Sequence, residues 1–135
     1  MLQYGIAYLA TAVVFLAIDF VWLNVMSPAF YRPRLGDLLA TNPNLTVAAL
    51  FYLFYAVGVV VLVVMPAAAA RSWLMAAGFG ALFGFVAYGT YDFTNLATIR
   101  NWPVIVTVVD VIWGTALTAV SATAGYFAVR AVSSG

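Results

Sequence analysis

Four aspartates, five arginines, and a set of tyrosines, tryptophans, amides and hydroxyls make up the reactive repertoire of this sequence. Three of the aspartates, Asp19, Asp92 and Asp110, fall inside long apolar runs. An ionisable group at such a depth costs several kcal/mol unless it is paired or protonated, which makes it a functional-site candidate by default. Carboxyls so placed can exchange protons or hold a cation. Asp19-Phe20-Val21-Trp22 and Asp110-Val111-Ile112-Trp113 repeat the same spacing, so each carboxyl shares a helix face with an indole. A vestigial inverted repeat would produce this pattern. Chance, or one aspartate-to-indole hydrogen bond made twice, would produce it equally well. Asp92 stands among Tyr88, Tyr91 and Asn95.

The absent residue types remove whole chemistries. Without cysteine, thiolate nucleophiles, disulfides and sulfur-ligated metals are excluded. Without histidine there is no imidazole base and no usual transition-metal site. Every one of the five basic residues is an arginine, so Schiff-base chemistry is absent too. A net charge of +1 with scattered arginines leaves no footprint for nucleic acid. No cofactor and no metal is expected.

The elements that must position these residues follow from composition. Hydrophobic residues make up 67% of the chain and charged ones 7%, and the mean hydropathy is +1.09. Nine ionisable side chains cannot cover a soluble surface of this size, so the solvent is lipid. The expected fold is all-α, a single integral-membrane domain built as an antiparallel four-helix bundle. Its helices are predicted at about 3–26, 45–65, 72–97 and 101–130, each long enough for a hydrocarbon core of ~30 Å at ~1.5 Å per residue. Ser27-Pro28 is read as the stop of the first and Met65-Pro66 as the end of the second. Asn101 is read as the N-cap of the fourth, with Pro103 in its first turn. The first run has no basic leader and is too long for a signal-peptide core, so it is read as a membrane span. The long first connection, Ser27 to Asn44, is either an ordinary connector or a carrier of a short interfacial helix around Pro33–Leu39.

Antiparallel topology puts Asp19 and Asp110 roughly 12 Å inside the same membrane side, with Asp92 nearer that surface. Arg32, Arg34 and Arg100 lie on this side and Arg71 and Arg130 on the other. The excess of three over two favours a cytoplasmic first side and external termini, and is small enough to leave dual insertion open. Asp92, Asn95, Arg100 and Asn101, with Arg32 and Arg34 from the first connection, are predicted to form a charged mouth in which an arginine keeps Asp92 ionised. Ala76, Gly80 and Gly84 form a small-residue stripe that predicts a close helix–helix contact. Thr107, Asp110, Gly114, Thr118, Ser121 and Gly125 form a second stripe at helical spacing, which is ordinary packing glue in membranes.

The stretches Tyr88-Gly-Thr-Tyr-Asp-Phe-Thr-Asn95, Leu96-Ala-Thr-Ile-Arg-Asn-Trp-Pro103 and Asp110-Val-Ile-Trp-Gly-Thr115 carry a family resemblance. Asp19-x-x-Trp22-Leu23, Phe30-Tyr31 and Gly36-Asp37-Leu38-Leu39 fit the same pattern. Over nearly its whole length the chain resembles a bacterial family of small four-helix membrane proteins catalogued as a domain of unknown function. The resemblance implies a fold and residues to watch, and no activity.

Three functions compete. A binding or transport protein of the bacterial inner membrane would use Asp19, Asp92 and Asp110 as an ionisable core. Trp22, Tyr88, Tyr91 and Trp113 would wall a site, between the first, third and fourth helices, for protons or for a lipophilic or cationic ligand. An accessory subunit, a homodimer or part of a larger membrane complex, would use the same aspartates as interhelical glue. A membrane-embedded enzyme acting on lipid or acyl chains would use paired carboxyls for acid–base work. Tyr91-Asp92 matches half of the intramembrane aspartyl-protease signature, but the Gly-x-Gly-Asp half is missing and no nucleophile is marked. Membrane lipids are partners in every case.

Overall fold

A computed structural model describes residues 1–133. The chain forms four long apolar helices: α1 (Leu2–Leu38), α2 (Leu45–Ala70), α3 (Trp73–Thr98) and α4 (Val104–Ser133). In lipid every backbone amide must find its partner within the segment, which runs of this hydropathy achieve only as helices. Side chains supply two of the helix starts. The Asn44 carbonyl accepts from the Val47 amide at 3.1 Å, and the Ser72 hydroxyl accepts from the Met75 amide at 3.0 Å. Leu9, Phe20, Phe54, Leu82 and Ile112 are exposed on the outer face, as a lipid-facing surface requires.

Two predicted stops are not stops. α1 runs through Ser27-Pro28 as a π-turn over Ser27–Tyr31, then continues as Arg32–Leu35 and a 3₁₀ turn at Gly36–Leu38. The Arg32 amide bonds five residues back to the Ser27 carbonyl. Proline lacks the N–H and its ring crowds the carbonyl four residues back, and a π-turn absorbs both defects while keeping other donors paired. The same device carries α2 past Pro66. A π-turn at Val60–Val64 ends with the Met65 amide on the Val60 carbonyl, and the helix runs on to Ala70. There Arg71 takes a left-handed conformation (φ 55, ψ 43), with Arg71 and Ser72 amides closing onto the Ala68 and Ala67 carbonyls.

The interfacial helix in the first connection is replaced by this extension of α1, whose Leu35 packs inward with Trp102 and Val106. At the other turn, Asn101 is not the cap of α4. It adopts φ 65 in the tight turn between α3 and α4, a conformation asparagine tolerates, and the helix begins at Val104 after Pro103.

α4 is the hub, lying along both α1 and α3, and it carries the most buried residues. Glycine permits the closest approach. A Cβ on Gly80 would sit 3.0 Å from the Ala122 Cβ, and one on Gly84 would run into the Gly114 carbonyl and lie 2.8 Å from the Thr118 side chain. Gly125 admits Thr11 of α1 in the same way. α2 joins the other three helices chiefly through its π-turn, where Val60, Val63 and Val64 are buried. Before the turn, Phe15 of α1 packs against Tyr52 and Tyr55. Tyr55 also reaches across to the Thr118 hydroxyl of α4 at 2.8 Å and to the Phe83 ring of α3, so residues 45–54 are the stretch that lies chiefly beside α1. The bundle is therefore packed at the Arg71 end and opened at the end bearing the first and third connections.

Candidate functional site

The opening produces a cavity of about 380 Å³ between all four helices. α1 contributes Phe15, Asp19, Trp22 and Leu23; α3 contributes Ala87, Tyr88 and Tyr91; α4 contributes Asp110 and Trp113. The sequence reading placed a site between these three helices. It missed the fourth wall, made by Phe51, Tyr52 and Tyr55 of α2. Four aromatic residues, Phe51, Tyr52, Phe54 and Tyr55, within five positions of an otherwise aliphatic helix were the available signal, with the two tyrosines at i and i+3 on one face. Phe51 and Tyr91 are exposed and form the rim.

The repeated Asp-x-x-Trp units interlock across the α1–α4 contact. The Trp22 and Trp113 rings stack with centroids 3.9 Å apart and planes 8° from parallel. Trp113 donates its indole N–H to Asp19 at 3.1 Å. Trp22 donates to the Tyr31 hydroxyl at 3.2 Å, and that hydroxyl donates to Asp110 Oδ1 at 2.9 Å. Each indole thus serves the aspartate of the opposite helix, directly in one half and through a phenol in the other. Tyr31 owes its position to the π-turn, since one extra residue turns everything after it by roughly 100° about the axis.

Asp92 is placed differently from its neighbours. It is 0% exposed, and neither carboxyl oxygen has a hydrogen-bond partner. It lies against Asp110 and lines a second cavity of about 200 Å³, with Ser27, Tyr31 and Leu35 of α1 and Trp102 and Val106 near the third connection. The predicted arginine partner is not there. Arg32, Arg34, Arg100 and Asn101 are all exposed and line neither cavity. Arg34 turns back on its own helix, 4.2 Å over the Phe30 ring and donating to the Phe30 carbonyl at 3.3 Å. Guanidinium groups keep their hydration at the surface more cheaply than they follow an aspartate into a dry bundle. Asn95 is half-buried, lines neither cavity, and accepts the Ile99 amide through its backbone carbonyl.

Three carboxyls therefore share an interior lined by no basic side chain. Charge balance there has to come from protons or from a bound cation, because isolated carboxylates in a low-dielectric medium are strongly penalised. The walls suit a cation: Trp22, Phe51, Tyr52, Tyr55, Tyr88 and Trp113 present ring faces or edges around the acids. Among the described residues no group of three His, Cys, Asp or Glu comes together to hold a metal ion.

No curated protein and no solved structure matches this chain. A family model described as "Predicted membrane protein (DUF2177)" matches residues 4–127, which takes in both cavities and Asp19, Asp92 and Asp110. The four apolar helices and this match over nearly the whole chain place the protein in that family of membrane proteins, DUF2177.

Proposed function

We propose that the protein binds small lipophilic cations in its aromatic cavity and exchanges them for protons across the cell membrane. The carrying observation is the cavity of about 380 Å³ with Asp19 and Asp110 in its wall, ring systems around them and no basic residue facing it. A ligand with an apolar body and one positive charge satisfies every part of that lining. Its apolar surface meets the rings, its charge meets carboxylate and π-face, and its arrival releases the proton that neutralised the acid.

The test compares benzyltrimethylammonium, a fixed cation, with its uncharged carbon isostere neopentylbenzene, each added to the purified protein in detergent. Binding is read from the fluorescence of the stacked tryptophans Trp22 and Trp113. The cation is expected to bind at least tenfold more tightly than the isostere, a difference of about 1.4 kcal/mol, and more tightly as pH rises. Asp19→Asn should remove that preference while Trp113 keeps a side-chain oxygen to donate to. Equal affinity for cation and isostere would overturn the reading.

A further inference from the structure

The second cavity and Asp92, which lines it and not the first, have no part in holding the cation, and their arrangement calls for a separate account. We infer that Asp92 and Asp110 form a proton-sharing pair that couples proton exchange on the loop side to cation binding beside Asp19, an inference that rests on the cation-binding reading above.

The first support is the missing partner of Asp92. A fully buried carboxyl with two orphaned oxygens is destabilising by several kcal/mol if its role is packing. The group it lies against is another carboxyl, Asp110 of α4. Two like charges in contact inside a bundle cannot both persist without a counter-charge, so with the chamber empty one proton between them is the low-energy arrangement. That proton supplies the hydrogen bond Asp92 otherwise lacks. The ionisable groups around the pair are Tyr31 and Tyr91 in the smaller cavity, and Asp19 of α1, Tyr52 and Tyr55 of α2 and Tyr88 of α3 in the larger cavity that Asp110 also lines. No cation from the chain competes for the pair.

The second support is connectivity. The smaller cavity of about 200 Å³ has room for several waters. It lies between the π-turn of α1 and the turn joining α3 to α4, on the side of the molecule that carries those connections. Leu23, Tyr91 and Asp110 line both cavities. Asp110 is thus a shared wall, with water access on one face and the cation chamber on the other. Asp19 lines only the chamber and is held by Trp113. The step balances charge for charge. When a cation enters the chamber, its positive charge beside Asp110 takes the place of the pair's one proton, which leaves through the smaller cavity to water, and when the cation leaves, one proton returns to the pair.

Two measurements separate this inference from the reading beneath it. The first uses no ligand. Infrared spectra of the wild type near neutral pH should show a protonated-carboxyl C=O stretch that Asp92→Asn and Asp110→Asn each remove. The chain has four acidic side chains in all, so bands can be assigned. A band untouched by either change overturns the pair, even if the cation binds. The wild-type titration alone decides the matter if a variant fails to fold, because a spectrum with every carboxyl ionised at neutral pH also overturns it. The second counts protons released per benzyltrimethylammonium bound, by calorimetry in buffers of different ionisation enthalpy. About one proton is expected from the wild type. In Asp92→Asn, binding should persist while proton release is lost. Full proton release in Asp92→Asn overturns the coupling role. No binding by the wild type overturns the cation reading and the coupling with it, while leaving the infrared result to decide the pair.

Discussion

Tyr31 is the residue on which the two halves of the site depend. Its hydroxyl accepts from Trp22 and donates to Asp110, so one oxygen ties the indole stack to the carboxyl pair. Tyr31→Phe keeps the ring that packs with Trp102 and Val106 and deletes only those two bonds. The expected cost is about 1 kcal/mol, since hydrogen bonds inside membrane bundles average ~0.6 kcal/mol each. Trp22→Phe removes one of the same bonds, so the double variant should lose less than the sum of the two single losses, as read from unfolding in detergent. Strict additivity would sink the relay. The aspartates and their tryptophans were legible in the sequence, because i, i+3 spacing dictates a shared face. The crossed pairing was not legible, because spacing along one helix says nothing about which neighbour an indole reaches.

Close backbone approach is the element-scale device, and it is unevenly distributed. Gly80 and Gly84 of α3 meet α4 so tightly that even a methyl has no room at Gly84. Gly84→Ala should destabilise the bundle by about 1–3 kcal/mol, the usual cost of overpacking. Gly78→Ala on the same helix meets nothing within 4 Å and should be neutral or slightly stabilising through helix propensity. Thermal denaturation of the two variants side by side checks this, and equal midpoints would count against the contact. The stripe was readable because small residues every four positions have one main use in lipid. The prolines were misread for an equally physical reason. In water a proline frees carbonyls that solvent can take up, so helices end there. In lipid no such solvent exists, and a π-turn that keeps the helix running costs less than a break. Pro28 and Pro66 both follow that rule, and reading Pro28 as a stop hid the position of Tyr31.

Seen whole, the molecule is polarised. All four aspartates sit in the half that carries the first and third connections, except that Asp19 reaches further in, while the other end holds Arg71 and Arg130. Membership of a membrane was plain from composition, but orientation hangs on Arg32, Arg34 and Arg100 against that pair. The expected topology has both termini outside. The chain has no cysteine, so Asp37→Cys offers one label site, which a membrane-impermeant maleimide should reach only from the cytoplasm. Adding Arg32→Gln and Arg34→Gln leaves one arginine against two and should expose the same cysteine to the exterior. Labelling from both faces in the parent variant would mean dual insertion. The main cavity was the least legible feature of all. It exists because residues 45–54 of α2, before Tyr55 reaches Thr118 and Phe83, leave α3 and α4 uncovered, and nothing in an apolar run states where it will part from its neighbours.

The π-turn of α2 also divides that helix mechanically. Residues 55–64 are the stretch gripped by the other three helices, through Tyr55 on Thr118 and Phe83 and through the buried Val60, Val63 and Val64, whereas residues 45–54 lie chiefly beside α1. That arm is roughly 15 Å long at 1.5 Å per residue, so a tilt of about 10° at its gripped end swings its tip by about 3 Å. The width of the chamber then depends on a pivot at the edge of its lining. Residues outside the lining, the buried valines of the turn and Pro66 behind them, anchor the arm that carries Phe51 and Tyr52, and so bear on the girth of the molecule the chamber admits.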